Sequence, residues 1–156
     1  MSLDDELVAW ERSVPEELRS DVLWKSAAYR LATYASDFVW PDLARLEADP
    51  RTKGIAPQLA SAVGSIGANY AEGYSRASGR DRSRIFEYAL GSAREARHWT
   101  YEARHVIGIE RATQLLALLT RIIQLLTVTI VRERNRNIGR PEPSPIPRRR
   151  RPTRDV

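Results

Sequence analysis

Residues 58–76 read QLASAVGSIGANYAEGYSR. Apolar side chains at Leu59, Val63, Ile66, Tyr70 and Tyr74, extended back to Ile55, step by three and four residues, so they share one face of a helix. The residues around that stripe are small: Ala60, Ser61, Ala62, Gly64, Ser65, Gly67 and Ala68. A glycine inside a helix costs up to about 1 kcal/mol relative to alanine. Gly64, Gly67 and Gly73 fall within ten residues, and the expected compensation is close approach of a second helix. Asn69 and Glu72 lie beside the stripe, three residues apart and therefore neighbours on the helix surface.

Toward the C-terminus, Ser78-Gly79-Arg80-Asp81 ends this helix and opens the next, expected over roughly 81–107. Its inner stripe is Phe86, Ala89, Ala93, Ala96, Thr100, Ala103 and Ile107, mostly alanine, which again lets a partner helix come close. Gly108 supplies a stop. A further helix follows from about Glu110 to Arg134, and its segment LLALLTRIIQLLTVTIV is apolar nearly all round. Such a helix is either buried or in a membrane. A span needs about 20 apolar residues, and Arg121 near the middle would cost roughly 2.5–3.5 kcal/mol there, so no membrane is expected. A four-helix bundle buries one stripe per helix. The second apolar side therefore calls for a partner, and a homo-oligomer is expected, with Leu115, Leu118, Ile122, Leu125 and Leu126 shared between bundle core and subunit contact.

Toward the N-terminus, Asp49-Pro50-Arg51-Thr52-Lys53-Gly54 is a connection. Before it, Leu23, Ala27, Leu31, Tyr34 and Phe38 keep helical spacing over residues 21–48. Pro41 lies in that path, and a kink or restart is expected there, because proline removes a backbone donor and clashes with the preceding turn. Residues 1–20 are polar, with Trp10 as an anchor; Ser13-Val14-Pro15-Glu16-Glu17 has the pattern of a helix start.

The 156 residues suit one domain with a modest core. The absence of cysteine excludes disulfide frameworks, Cys-ligated zinc and thiol catalysis. MSLDDELVAW is acidic and lacks the regions of a signal peptide, so the expected location is the cytoplasm. The net charge of +5 is uneven: residues 132–156 hold nine arginines against three acids, a net of +6, which leaves residues 1–131 at −1. The segment RPEPSPIPRRRRPTRDV alternates proline from Pro141 to Pro147 and cannot form a helix. It is expected to be a disordered or polyproline-like tail. The organisation is thus an N-terminal extension (1–20), an all-α, up-down-up-down four-helix bundle (21–135) and a basic tail (136–156).

In that tail Arg148, Arg149, Arg150, Arg151 and Arg154 suit bidentate phosphate contact with counterion release. Several tails on one assembly would multiply the effect. With no aromatic residue in the runs, such binding to RNA or DNA would be weakly sequence-selective. The plain alternative is a solvated tail that aids solubility. A second basic cluster, Arg76, Arg80, Arg82 and Arg84, lies at the turn between the second and third long helices.

No catalytic set emerges. Asn69 and Glu72 fit either a polar ligand site or, the favoured reading, a buried polar network that fixes helix register, with Glu72 meeting Arg76, Arg94 or Arg97. One carboxylate without a nucleophile or base is not an active site. Glu95-x-x-His98 and Glu102-x-x-His105 have the spacing of di-iron bundles, but that chemistry needs the two motifs on different helices. Both lie on one helix, about 10 Å apart along its axis, and the last helix offers no carboxylate between Glu110 and Glu133. A solvated polar face is the simpler reading. Gly64-Ser65-Ile66-Gly67 has no preceding strand and is not a dinucleotide fingerprint. The expectation is a protein with no enzymatic activity, cofactor or metal.

One pattern is more specific. Ser65, Asn69, Ala71-Glu72-Gly73, Tyr74 and Arg76, followed by Phe86, Gly91-Ser92 and Glu95, resembles a bacterial four-helix-bundle family first noticed as reading frames in intervening sequences of large-subunit rRNA genes. The resemblance covers roughly residues 22–132, and it makes Asn69, Glu72, Arg76 and Glu95 a structural polar motif. Many members have proline two residues after that serine; Gly67 stands there in this chain, which should leave the helix straighter. The resemblance implies a homopentameric ring without established enzymatic activity. A related accessory protein of diversity-generating retroelements binds nucleic acid and a reverse transcriptase, which implies by analogy a neighbouring-gene partner. The leading functional expectation is a homo-oligomeric scaffold that binds RNA or DNA through its tail. The alternatives are a protein–protein interaction module with no nucleic-acid role and, third, a metal-binding helical bundle.

Overall fold

The computed structural model describes residues 3–136, and side chains from residue 5 onward. The tail arginines Arg148 to Arg151 and Arg154 lie outside the described residues. The described part is all-helical: α1 (Leu3–Ser13), α2 (Glu16–Arg19), a 3-10 turn (Val22–Lys25), α3 (Ala27–Ala48), α4 (Ile55–Tyr74), α5 (Gly79–Ile107) and α6 (Ile109–Asn135).

The N-terminal helices differ from the expected start at Ser13. Ser13 is the last residue of α1, where its hydroxyl donates to the Trp10 carbonyl at 2.7 Å. Pro15 instead precedes α2, where its fixed φ suits entry into a helix. Trp10 does anchor the extension. Its ring lies 5.8 Å from that of Trp24 and 5.1 Å from that of Tyr34, and its Nε1 donates to Asp37 at 2.6 Å. Arg30 and Glu11 add an ion pair at 2.9 Å.

Pro41 neither ends nor restarts a helix: α3 runs unbroken from Ala27 to Ala48. The carbonyl left without a donor belongs to Asp37, an exposed residue of α3. Phe38, Val39 and Leu46 are buried on either side of the proline and hold both halves in place.

The four long helices share one core. Leu59, Val63 and Ile66 of α4 are fully buried, and Tyr70 nearly so. The expected stripe of α5 is buried throughout, with Ala89, Ala93, Ala96, Thr100 and Ala103 wholly inaccessible. The close approach expected of the glycines occurs at Gly73, where an added Cβ would lie 2.7 Å from the Phe86 ring. Gly64 has open space around it, and Gly67 would make ordinary contact with Ala32. Gly79 is a second such point, because a Cβ there would sit 2.3 Å from the Glu133 carbonyl of α6. Gly108 joins α5 to α6 with φ 94°, a conformation that only glycine adopts cheaply.

On α6 the inward stripe is Leu115, Leu118, Leu119, Ile122, Leu126 and Ile130, all buried within the chain itself. Leu115, Leu118, Ile122 and Leu126 thus belong to the core, as expected of them. Packing against α3 and α5 fixes the rotation of α6 and turns these four inward. Leu125 is partly buried. The apolar residues left outside are Ile109, Val128 and Val131. By length and composition α6 would be able to cross a bilayer, and 33% of its most apolar window is buried inside the chain.

Candidate functional site

Of the polar network expected at Asn69 and Glu72, the pairing of Glu72 with Arg76 is present, but within the chain it is not buried. The two lie one turn apart, and their side chains are 51% and 46% exposed. Arg94 and Arg97, both exposed, form no ion pair among the described residues. Glu95 instead accepts from Trp99 Nε1 at 3.2 Å on the surface of α5, and Asn69 is half-buried. The reason is angular: α4 meets α5 through Gly73, and Glu72, one position away, is turned out toward solvent. His98 and His105 are exposed as well. Among the described residues no three His, Asp or Glu side chains come together as metal ligands would.

The buried charges lie elsewhere. Asp42, on α3, is 4% exposed and receives Arg111 of α6 at 2.9 Å and Arg45 at 3.6 Å. Arg111 also donates to the Phe38 carbonyl and lies over the Phe38 ring at 3.6 Å. Arg45 donates to the carbonyls of Val106 and Ile107 at 2.7 and 3.2 Å, capping the C-terminus of α5. These contacts tie three helices together at one end of the molecule.

The opposite end holds a cleft of about 450 Å³, where the start of α3 meets the ends of α4 and α6 and the first turns of α5. Tyr70 forms its floor, stacked on Phe86 with ring centroids 4.7 Å apart and accepting from the Ser26 hydroxyl at 2.7 Å. Burial holds the Tyr70 hydroxyl above the ordinary tyrosine range, so it stays protonated. Four cations line the cleft: Lys25, Arg82, Arg132 and Arg136. Arg82 is fixed by three contacts, donating from Nε to the Arg76 carbonyl at 2.7 Å, lying 5.4 Å from the Tyr74 ring centroid and approaching Glu133 at 3.8 Å. Glu133 is buried and also meets Arg136 at 3.2 Å. Lys25 and Arg132 are exposed and have no ionic partner among the described residues. The lining thus sets four positive charges against one carboxylate.

The sequence pointed to part of this site. Arg82 belongs to the basic cluster at the turn between α4 and α5, while Arg76 pairs with Glu72 and Arg84 approaches Asp81 at 4.0 Å. Lys25 and Arg132 carry no local signal, because only the packing of α3 against α6 brings them to one cleft.

A search of curated proteins finds no match. Among solved structures, a protein of unknown function from the S23 ribosomal protein family of Bacteroides thetaiotaomicron aligns with a TM-score of 0.62 at 21% identity, over 67% of this chain and 98% of that one. That likeness is one of fold. The model of the 23S rRNA-intervening sequence proteins matches residues 26–128, from the cap of α3 to well into α6. The match takes in both the Ser65–Arg76 segment and the α5 stripe that packs on it, and the chain belongs to the 23S rRNA-intervening sequence protein family.

Proposed function

We propose that this protein is a non-enzymatic, homo-oligomeric scaffold of the cytoplasm. In this reading its four long helices form an up-down-up-down bundle, copies of the bundle assemble in the five-fold ring that the family resemblance implies, and the basic tails contact RNA or DNA. The observation that carries the reading is the outer side of α6. With its inward stripe already used by the core, α6 still leaves Val131 51% exposed, beside the partly buried Ile123, while Leu125 and Val128 edge the cleft. Apolar side chains grouped on an outer helix face are covered most simply by a second copy.

Light scattering on the full chain at micromolar concentration tests the assembly. A discrete oligomer is expected, and Val131→Asp should shift it toward monomer while helicity is kept. A monomeric parent protein overturns the reading. Removing residues 140–156 tests the tail: nucleic-acid binding should be lost with assembly unchanged. For the intact protein, log affinity should fall with log salt by roughly 0.7–0.9 per phosphate neutralised. Absence of binding at low salt would favour a scaffold for another protein, such as one encoded by a neighbouring gene.

A further inference from the structure

We infer that the cleft between the start of α3 and the end of α6 binds a phosphate ester, in the form of a nucleoside monophosphate unit. The inference concerns the folded helices and does not rest on the tail reading.

Charge points to an anion. Glu133 offsets one of the four cations, which leaves an excess of three. Lys25 and Arg132, without ionic partners among the described residues, are available to a ligand. Arg82 is already oriented by the Arg76 carbonyl and the Tyr74 ring, so little of its freedom would be lost on binding a phosphate oxygen through its planar fork. Ala27 and Ala28, which begin α3, line the same wall, where the positive end of that helix meets the negative ends of α4 and α6, so the excess charge rests on the side chains.

Size and lining point to more than an inorganic ion. A volume of about 450 Å³ lies in the range of small-molecule sites and far exceeds one phosphate group. Apart from the hydroxyls of Ser26 and Thr129, the rest of the lining is apolar or aromatic, with Val22, Leu125, Val128, Tyr70, Tyr74 and Phe86 its larger members. A ligand with a doubly charged phosphate and a flat heterocyclic body matches both halves. Such a monoester exists free as a mononucleotide and at the 5′ end of RNA, while each internal unit of RNA carries its base and sugar on a singly charged diester.

Calorimetry at low salt with the full-length protein tests this, with AMP, adenosine and a ten-residue oligouridylate as probes. Lys25→Ala and Arg132→Ala are the variants; both side chains are exposed, and circular dichroism should show unchanged helicity. AMP should bind and adenosine should not. Each substitution should weaken AMP about tenfold or more, as loss of a charge-assisted contact would. If only the oligouridylate binds, and binding weakens in the same two variants, the site stands and its ligand is the RNA chain. If AMP and the oligouridylate bind both variants as they bind the parent, or neither binds the parent, the proposal is overturned. Failure of the tail reading is distinct, because it is read from residues 140–156 and not from Lys25 or Arg132.

Discussion

The two ends of the helical body handle charge in opposite ways. At one end Asp42 is almost fully enclosed, and each of its arginines is also used elsewhere: Arg111 on the Phe38 carbonyl and ring, Arg45 on the last carbonyls of α5. At the other end Glu133 meets Arg82 at 3.8 Å and Arg136 at 3.2 Å, while Lys25 and Arg132 stand beside them without a counter-charge among the described residues. The ends are about 33 Å apart along α6 at 1.5 Å per residue. The first arrangement uses its charges to lock α3, α5 and α6 in register. The second leaves positive charge over and a space beside it.

The comparison breaks most visibly at Asp42. Asp42→Ala should cost about 3–5 kcal/mol in urea unfolding, because it leaves Arg111 half-enclosed without its carboxylate. Asp42→Asn should cost less, since an acceptor remains. A loss below 1 kcal/mol for Asp42→Ala would mean that the closed end is no lock.

Glu133→Ala should cost less, about 1–2 kcal/mol, between the ranges for exposed and buried pairs. Arg136 is 58% exposed and can turn to water, and Arg82 keeps its contacts with the Arg76 carbonyl and Tyr74. A cost equal to that of Asp42→Ala in the same titration would erase the distinction between the ends.

The smallest effect is expected at the exposed pair near the end of α4. Glu72→Ala should change stability by at most about 0.5 kcal/mol, as for other exposed i,i+4 pairs. A loss of several kcal/mol in the assembled protein would place Glu72 in a subunit contact and return it to a structural role.

These three sites show where reading the sequence succeeds and where it stops. The apolar steps from Leu59 to Tyr74 and the alanine stripe of α5 were legible because a single buried face leaves a periodic trace. The stop at Gly108 was legible because few residues tolerate its backbone. The polar residues were misjudged for the converse reason. Glu72 lies in the most recognisable motif of the chain and is exposed, whereas Asp42, which follows Pro41 in an unremarkable stretch, is enclosed. A carboxylate carries no periodic signal that tells whether a partner helix will cover it.

Spacing along single segments was enough to place the four long helices, the inner faces of α4 and α5, and the family. The rotation of α6 came from packing. Its residues 115–131 are apolar nearly all round, so periodicity does not choose among its faces, and contact with α3 and α5 turns Leu115, Leu118, Ile122 and Leu126 inward and leaves Val128 and Val131 outside. The same packing gathers Lys25, Arg82, Arg132 and Arg136 into one cleft. Those charges come from three separate parts of the chain, and their proximity follows from the way the helices pack.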